Sequence, residues 1–334
     1  MTKIAILGAG SWGTGLSVVL ANSRRSHDIV LWVREPAIAE CIKTSRANVT
    51  YLPGVAIPAC VASTTDLGEA LSRAHIVIGV VPSAHAREVF TQALPHVSPE
   101  AIIVSATKGL EPATHLRTSQ LLEQVFSIRF IPQLAVLSGP SFAFEAALGQ
   151  PTAVVLAAHD HSIAAFLQEE FAGPTFRLYT NDDVLGVELA GAMKNVMAIA
   201  AGACQGLGFG ANTLAALITR GLAEMTRLAV PLGARPETLG GLAGLGDLVL
   251  TCTGALSRNR YVGFELGKGR SLNEILSGMT MIAEGVGTAA ALLALGREHH
   301  VELPITEQVN AILQQWKSPA EAIRDIMDRP LKRE

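Results

Sequence analysis

Along the first half of the chain, short apolar runs alternate with stretches that have helical spacing. The runs are rich in Val, Ile and Leu and are bounded by Gly, Pro or Ser, which is typical of strands. Because they are apolar almost throughout, we predict a parallel sheet covered by helices on both faces. Residues 15–23 and 84–93 supply crossover helices. The predicted strands are residues 3–7, 29–33, 76–81, 102–105, 134–138 and 152–157.

The pattern changes near residue 180. Beyond it the chain is mostly Ala, Leu and Gly with helical spacing, and residues 181–183 offer capping groups for a long helix that ends near residue 206. We therefore predict a Rossmann-type, doubly wound, mostly parallel α/β domain over residues 1–180 and an all-helical domain over residues 181–334. The other predicted helices are residues 212–229, 239–251, 271–278, 283–298 and 306–315, and a short one that starts at Ser318 and ends before Pro330.

Composition narrows the class of protein. Of the 334 residues, 49% are hydrophobic and 16% are charged, which excludes a disordered chain. The formal net charge of −3 provides no basic surface for nucleic acid, so an anionic substrate must be held by a few placed cations. The four cysteines are far apart and form no CxxC pair, so we expect a reduced, cytoplasmic setting and no metal centre.

Two apolar stretches resemble export or membrane segments. In residues 1–21, glycines interrupt the region that is continuous and apolar in a signal peptide. Residues 184–207 are long enough to span a bilayer, but they include Glu188 and Lys194, which a lipid-exposed helix tolerates poorly. We therefore predict a buried helix in a protein that is not integral to a membrane.

A glycine-rich turn follows the first predicted strand and precedes the first helix. It has the GxGxxG pattern of dinucleotide-binding βαβ units. In that pattern Gly8 makes the tight turn, Gly10 lets the backbone approach the pyrophosphate, and Gly13 allows close packing of helix and strand. The helix N-terminus, with its unpaired N–H groups, then faces the phosphates. We predict that NAD or NADP binds here.

The end of the second strand indicates which dinucleotide binds. A carboxylate there binds the ribose 2′-hydroxyl of NAD, whereas an arginine accepts the 2′-phosphate of NADP. Arg34 favours NADP, and Glu35 beside it leaves NAD open. Later strand ends, at residues 80–83 and 105–109, lie where such folds place the nicotinamide, and Lys108 is a candidate for binding substrate or cofactor phosphate.

The long apolar helix carries one adjacent lysine–amide pair, Lys194 and Asn195. A lysine among Gly, Ala, Met, Val and Ile is desolvated, which lowers its pKa and suits proton exchange near neutral pH. Glu188, nearly two turns away, is a candidate partner for its ammonium group. The alternative is that Lys194 extends to the surface and has no chemical role.

A second polar cluster lies between residues 241 and 260. Asp247 is the one acid in a stretch of small residues, and it is suited to hold a substrate hydroxyl or a lysine ammonium. Ser257, Arg258 and Asn259 suit a phosphate pocket, because arginine bonds phosphate bidentately and the other two add donors. The alternatives are a helix cap for Asp247 and an ordinary surface position for Arg258.

On these residues, the sequence resembles the NAD(P)-dependent glycerol-3-phosphate dehydrogenases of the bacterial type. The resemblance covers nearly the whole chain and consists of separate motifs in the right order. Thr50 and Ala211 depart from the family's usual residues, at positions where no chemistry is expected. The motifs are residues 8–14, 31–34, 51–54, 106–110, 138–143, 188–195, 215–221, 241–247, 257–260 and 283–286.

The resemblance implies reversible reduction of dihydroxyacetone phosphate to sn-glycerol 3-phosphate for glycerophospholipid synthesis. It assigns proton donation and acceptance to Lys194, and we expect Lys108 and Asn195 to orient the carbonyl. The residues implied to hold the substrate are Lys108, Gly139, Ser141, Lys194, Asp247, Ser257, Arg258 and Asn259. Those implied to line the cofactor, besides the glycines, are Ser11, Trp12, Arg34, Lys108, Ala143, Arg258, Ile282 and Glu284.

Other functions stay open at this point. A 3-hydroxyacid or acyl-CoA dehydrogenase calls for a catalytic histidine beside a carboxylate, and the nine histidines lie outside the predicted site. A sugar-nucleotide dehydrogenase calls for a cysteine nucleophile, and Cys252 lies in an apolar stretch typical of a core. A non-catalytic cofactor sensor needs no polar cluster in its second domain, so Lys194, Asp247 and Arg258 argue against it. The sequence does not decide between a monomer and a homodimer.

Overall fold

The computed structural model describes residues 1–331 and residue 333. The chain divides into two compact units, one of Met1–Glu111 with Leu116–Glu188 and one of Pro112–His115 with Leu189–Glu334. The first unit is α/β, and the described part of the second contains helices and no strands. The boundary at residue 180 between two functional domains stays a prediction.

The first unit, which is described in full, contains ten strands: β1 (Thr2–Leu7), β2 (His27–Trp32), β3 (Ala47–Asn48), β4 (Leu52–Ala56), β5 (Val61–Thr64), β6 (Ile76–Gly79), β7 (Ile102–Ser105), β8 (Gln133–Ser138), β9 (Thr152–Ala157) and β10 (Phe176–Asn181). Eight of them form one sheet in the order β10-β9-β8-β7-β6-β1-β2-β5, and β3 and β4 form a separate antiparallel pair. Within the sheet, neighbours are parallel except β8 and β9. The predicted α/β class with a mostly parallel sheet is confirmed.

Sixteen α-helices lie in the described residues, and a π-helical turn spans Leu242–Gly246. The helices are α1 (Ser11–Ala21), α2 (Pro36–Ser45), α3 (Leu67–Leu71), α4 (Ser83–Ala93), α5 (Thr118–Phe126), α6 (Ala143–Ala147), α7 (His161–Phe171), α8 (Val184–Gly206), α9 (Ala211–Ala229), α10 (Pro236–Gly240), α11 (Asp247–Thr253), α12 (Arg258–Gly267), α13 (Leu272–Ser277), α14 (Glu284–Glu298), α15 (Pro304–Leu313) and α16 (Pro319–Met327).

Side chains of β1 alternate between the two faces of the sheet. Ile4 and Ile6 are fully buried in one core. Ala5 and Leu7 are fully buried in a second core, which also contains Phe90 of α4. Both faces are therefore covered, and this explains why the central strands are apolar at nearly every position.

Strands β5 and β10, which are the two edges of the sheet, do not stand out as apolar runs in the sequence. An edge strand has a single neighbour, so one side of it meets solvent more often. In β10, Phe176 and Leu178 are buried, whereas Tyr179 is 44% exposed and lies against the guanidinium of Arg177. Such an alternating strand has no continuous apolar run to detect.

Helix α8 is long and apolar enough to cross a membrane by length and composition. However, 94% of its most apolar 18-residue window is buried inside the protein. A helix that is apolar all round and buried is typical of the core of a large protein. The structure thus favours the predicted core helix.

Helices α8 and α12 approach closely through glycines. A Cβ on Gly202 would lie 1.9 Å from the carbonyl oxygen of Arg260, and one on Gly263 would lie 1.9 Å from that of Ile199. These backbones can touch only because both positions lack a side chain. The sequence pattern misses α12, since its polar first residues and its glycines resemble a loop.

Glu224 of α9 is a buried carboxylate that caps the first turn of α15. Its oxygens accept hydrogen bonds from the backbone N–H of Ile305 at 2.8 Å and from the N–H and hydroxyl of Thr306 at 2.9 and 2.7 Å. Burial raises the pKa of the Glu224 carboxyl, and these donors act in the opposite direction.

We expect Glu224→Gln to lower the free energy of unfolding by about 1–3 kcal/mol. Glutamine offers one oxygen to donors that use both oxygens of the carboxylate, so its amide N–H₂ faces another donor. Urea denaturation measures the change. Glu298→Gln, at an exposed position of α14, is the control, and equal stability of the two variants would contradict the capping role.

Candidate active site

The glycine-rich turn lies between β1 and α1. Gly8 has a φ of 115°, and a Cβ there would lie 2.7 Å from the carbonyl oxygen of Val80. A Cβ on Gly13 would lie 1.8 Å from the carbonyl oxygen of Gly8. Gly10, in contrast, has nothing within 4 Å of the place where its Cβ would sit. Packing therefore requires Gly8 and Gly13, whereas the open space at Gly10 suits the close approach of a ligand.

The first turn of α1 is suited to bind an anion. Its N-cap, Gly10, makes no side-chain hydrogen bond to the turn, and the turn contains no acidic residue. Ser11 and Trp12 occupy the first two helical positions and are half-buried. The indole Nε1 of Trp12 is buried and has no hydrogen-bond partner among the described residues. These groups fit a dinucleotide whose pyrophosphate lies at the helix N-terminus.

Asn48, which is not among the predicted site residues, supports this turn. It is fully buried, and its Nδ2 donates to the carbonyl oxygen of Ala9 at 2.8 Å and to the hydroxyl of Thr14 at 2.9 Å. No local signal marks such a residue, because its partners lie more than thirty positions away.

Arg34 follows β2 at the position predicted to select the cofactor. Its Nε and Nη2 donate to one carboxylate oxygen of Glu35, at 3.2 and 2.8 Å. This hydrogen bond, with the charge of Glu35, raises the pKa of the Arg34 guanidinium. The Arg34 side chain is 65% exposed, so a 2′-phosphate can reach it but must compete with Glu35. The pair is compatible with both NADP and NAD.

Gly139 connects two other predicted residues of the same unit. Its carbonyl oxygen accepts hydrogen bonds from Lys108 Nζ at 2.9 Å and from the Ser141 hydroxyl at 3.0 Å. Gly139 has a φ of 123°, which favours glycine and directs this carbonyl. Ala143, the first residue of α6, packs against Gly15 of α1. Lys108 is therefore held near the carboxyl end of β8.

In the second unit, Lys194 lies in a buried polar cluster. Its ammonium donates to the Asp247 carboxylate at 3.0 Å and to the Thr251 hydroxyl at 2.9 Å, and none of the three residues is more than 7% exposed. The Thr251 hydroxyl donates in turn to the carbonyl oxygen of Asp247 at 2.6 Å. Lys194 thus does not extend to the surface. Thr251 belongs to this cluster but is not among the predicted site residues.

Two opposing effects act on the charge of Lys194. Burial disfavours the ammonium form, as the sequence suggests, whereas the adjacent Asp247 carboxylate favours it. Glu188, the other candidate partner, accepts hydrogen bonds from Arg117 at 2.6 Å and from the N–H of Ser119 at 2.8 Å, so the structure favours Asp247 as the partner of Lys194.

Asp247 begins α11 directly after the π-helical turn. In that turn the N–H of Gly246 donates to the carbonyl oxygen of Gly241 at 3.0 Å, so the helix predicted over residues 239–251 is divided into three segments. Such wide turns occur frequently at functional sites. Here the wide turn leads directly into the helix that presents Asp247 and Thr251 to Lys194.

Cys252 follows Thr251 and is fully buried. Burial raises the pKa of its thiol to about 12. A thiol of this kind is protonated and unreactive at neutral pH, which disfavours a cysteine-nucleophile mechanism.

The N-terminus of α12 carries the residues predicted to bind phosphate. Ser257 is the N-cap, and its hydroxyl accepts a hydrogen bond from the N–H of Arg260 at 3.2 Å. Arg258 is the first helical residue, and part of its side chain reaches the surface. Partial burial of the guanidinium lowers its pKa, and the nearby Glu284 carboxylate acts in the opposite direction. An exposed arginine on a helix N-terminus suits a phosphate group. Asn259 is buried and donates to Oδ1 of Asn195 at 2.9 Å.

The predicted residues therefore fall into two sets, one in each unit. The set in the first unit contains the glycine-rich turn, Ser11, Trp12, Arg34, Lys108, Gly139, Ser141 and Ala143. The set in the second unit contains Lys194, Asn195, Asp247, Ser257, Arg258, Asn259, Glu284 and the 45% exposed Ile282.

Comparisons with known proteins identify the family. Two family models match the chain: NAD-dependent glycerol-3-phosphate dehydrogenase N-terminus over residues 3–164 and C-terminus over residues 183–324. The chain is 54% identical to a glycerol-3-phosphate dehydrogenase (NAD(P)+) of Koribacter versatilis, over 99% of this chain and 98% of that one. It is 52% identical to one of Citrifermentans bemidjiense, with the same coverage.

A solved structure is similar throughout. The crystal structure of glycerol-3-phosphate dehydrogenase from Coxiella burnetii superposes with a TM-score of 0.92 at 40% identity, over 98% of this chain and 99% of that one. Matches of this extent cover both the dinucleotide-binding turn and the lysine cluster. The chain is an oxidoreductase that uses NAD or NADP, and it belongs to the NAD(P)-dependent glycerol-3-phosphate dehydrogenase family.

Proposed function

We propose that the protein reduces dihydroxyacetone phosphate reversibly to sn-glycerol 3-phosphate, with Lys194 as the proton donor and acceptor. The observation that supports this most strongly is the Lys194 ammonium, buried between Asp247 and Thr251 in the same unit as the phosphate-suited N-terminus of α12. A small ketone that carries a phosphate needs these two features, a proton donor and an anion site.

The reaction moves a hydride and a proton. The reduced dinucleotide, when bound, supplies the hydride to the carbonyl carbon of the substrate. Lys194 donates a proton from its ammonium to the oxygen as negative charge develops there. Asp247 and Thr251 hold the ammonium and aim it, and in the reverse direction the neutral amine of Lys194 accepts the hydroxyl proton.

The other residues hold and orient the substrate. Arg258, with Ser257 and the first backbone N–H groups of α12, binds the phosphate. Lys108 and Asn195 orient the carbonyl, and the Gly139 carbonyl with the Ser141 hydroxyl holds the hydroxymethyl end.

We place this chemistry in the cytoplasm, where it supplies sn-glycerol 3-phosphate for glycerophospholipids. We propose a homodimer as the assembly state of the protein, and light scattering after size exclusion tests it.

The purified chain tests this function directly. We expect oxidation of NADH or NADPH, followed at the nicotinamide absorbance, on addition of dihydroxyacetone phosphate. Dihydroxyacetone without the phosphate is the matched control and should react far more slowly, since it lacks the anion. Equal rates with both ketones, or oxidation by a 3-oxoacid alone, would disprove the proposed substrate.

We expect Arg34→Asp to shift the preference from NADPH towards NADH by roughly 10-fold or more, because it removes the cation and adds a repelling charge at the 2′-position. Ratios of kcat/KM for the two cofactors measure the shift. Arg25→Asp, at another partly exposed arginine that pairs with an acid, is the control. An unchanged ratio for Arg34→Asp would show that Arg34 does not contact the 2′-phosphate.

A further inference from the structure

The side-chain amide of Asn259 joins three helices of the second unit. Its Nδ2 donates to Oδ1 of Asn195 on α8 at 2.9 Å, and its Oδ1 accepts a hydrogen bond from the N–H of Gly285 on α14 at 2.9 Å. Asn195 is 4% exposed and Asn259 is 8% exposed. One buried amide therefore links the helix of Lys194, the phosphate-suited N-terminus and the helix that begins with Glu284.

The link supplies a cap that α14 lacks in its own sequence. The N-cap of α14 is Ala283, whose side chain has no acceptor, and Gly285 is the second helical residue. Asn259 accepts the N–H that a polar N-cap would otherwise bind. The start of α14 is also pressed against α8, since a Cβ on Gly285 would lie 2.7 Å from the carbonyl oxygen of Asn195.

The link also sets the direction of the Asn195 amide. Because Oδ1 of Asn195 accepts from Asn259, its Nδ2 is turned away from that partner, and it donates to the carbonyl oxygen of Gly191 at 3.3 Å. The N–H₂ group is the end of an amide that can donate to a substrate carbonyl. Asn259 thereby decides which end of the Asn195 amide is turned away from it.

We propose that Asn259 is a positioning residue, which aligns Asn195 and the start of α14 through its side chain rather than holding the substrate phosphate with it. The backbone N–H groups of α12 and the Arg258 guanidinium serve the phosphate instead. The family resemblance implies that Asn259 contacts the substrate. In the structure its side chain instead bonds Asn195 and Gly285, which is a different role. The inference rests on the proposed function for its kinetic part only.

A structural readout tests the link without any substrate. Asn259→Ala removes both hydrogen bonds, whereas Asn259→Asp keeps an acceptor for Gly285 but cannot donate to Asn195. We expect hydrogen exchange at the Gly285 amide to be at least roughly 10-fold faster in Asn259→Ala, with most of the protection kept in Asn259→Asp. Equal exchange in the wild type and both variants would overturn the capping link, even if the protein had another activity.

Kinetics tests whether the alignment matters for catalysis. We expect Asn259→Ala to lower kcat by roughly 10-fold, because a misplaced Asn195 amide no longer orients the substrate carbonyl. KM for dihydroxyacetone phosphate should change little. The double variant with Asn195→Ala should be no slower than the worse single variant, since Asn259 affects the substrate carbonyl through Asn195. Arg258→Ala with Asn195→Ala is the control pair, and its effects should multiply.

The opposite kinetic pattern would overturn the proposal. A large rise in KM with unchanged kcat in Asn259→Ala would show that the side chain binds the phosphate. Multiplying effects of Asn259→Ala and Asn195→Ala would show that the two residues act independently. If Asn259→Ala does not fold, Asn259→Asp carries the same comparison, because it breaks the bond to Asn195 and keeps the cap on α14.

Discussion

Lys194→Ala is expected to lower kcat by roughly 10²-fold or more, while the reduced cofactor still binds. The substitution removes the proposed proton donor from the cluster, so the developing alkoxide loses the acid that protonates it. The dinucleotide-binding turn belongs to the other unit and keeps its structure. Turnover with dihydroxyacetone phosphate and fluorescence titration of the reduced cofactor measure the two effects.

The variant also leaves the Asp247 carboxylate buried without its ammonium partner. Asp247 is 1% exposed, and an unpaired buried charge costs about 3–5 kcal/mol of stability. Lys194→Met with Asp247→Leu removes both charges and separates loss of chemistry from loss of fold. Lys268→Ala, at an exposed lysine of the same unit, is the surface control. Near-normal turnover of a folded Lys194 variant would remove this lysine from the mechanism.

Arg258→Ala is expected to raise KM for dihydroxyacetone phosphate by roughly 10- to 100-fold, because it removes one or two hydrogen bonds between charged groups. KM for NADH or NADPH should change much less, because the proposed pyrophosphate site is the N-terminus of α1. Steady-state kinetics with each substrate varied in turn measures both constants.

Arg260→Ala is the matched control for this second substitution. Arg260 lies two residues further along α12, and its guanidinium donates to Gln205 at 2.7 Å, so its loss disturbs the same helix without removing the phosphate cation. Equal rises in KM for substrate and cofactor in Arg258→Ala would instead place Arg258 in the cofactor site. A similar rise in Arg260→Ala would indicate damage to the fold.

The central strands of the sheet follow directly from the sequence. A strand buried on both faces needs apolar side chains at every position, so β6, β7 and β9 are visible as continuous runs. The edge strands β5 and β10 and the helix α12 are not visible in this way. Their local patterns are weak, and contacts with distant parts of the chain stabilise them.

The same distinction between local sequence signals and long-range contacts applies to the candidate site. Gly8, Gly10 and Gly13 are recognisable because the turn, the ligand contact and the helix packing all involve neighbours in the chain. The partners of Lys194 include Asp247 and Thr251, which lie 53 and 57 positions away. The sequence indicates that each could matter but also allows Glu188 as the partner of the lysine.

Short-range requirements are therefore readable from residue order alone: a glycine where backbones touch, an apolar run where both faces are covered, and an amphipathic stretch with a capping residue. Pairings between side chains are not readable in this way, because they depend on how whole helices pack. Gly202 and Gly263 bring α8 and α12 into backbone contact, and this contact, rather than any local motif, places Asn259 between Asn195 and Gly285.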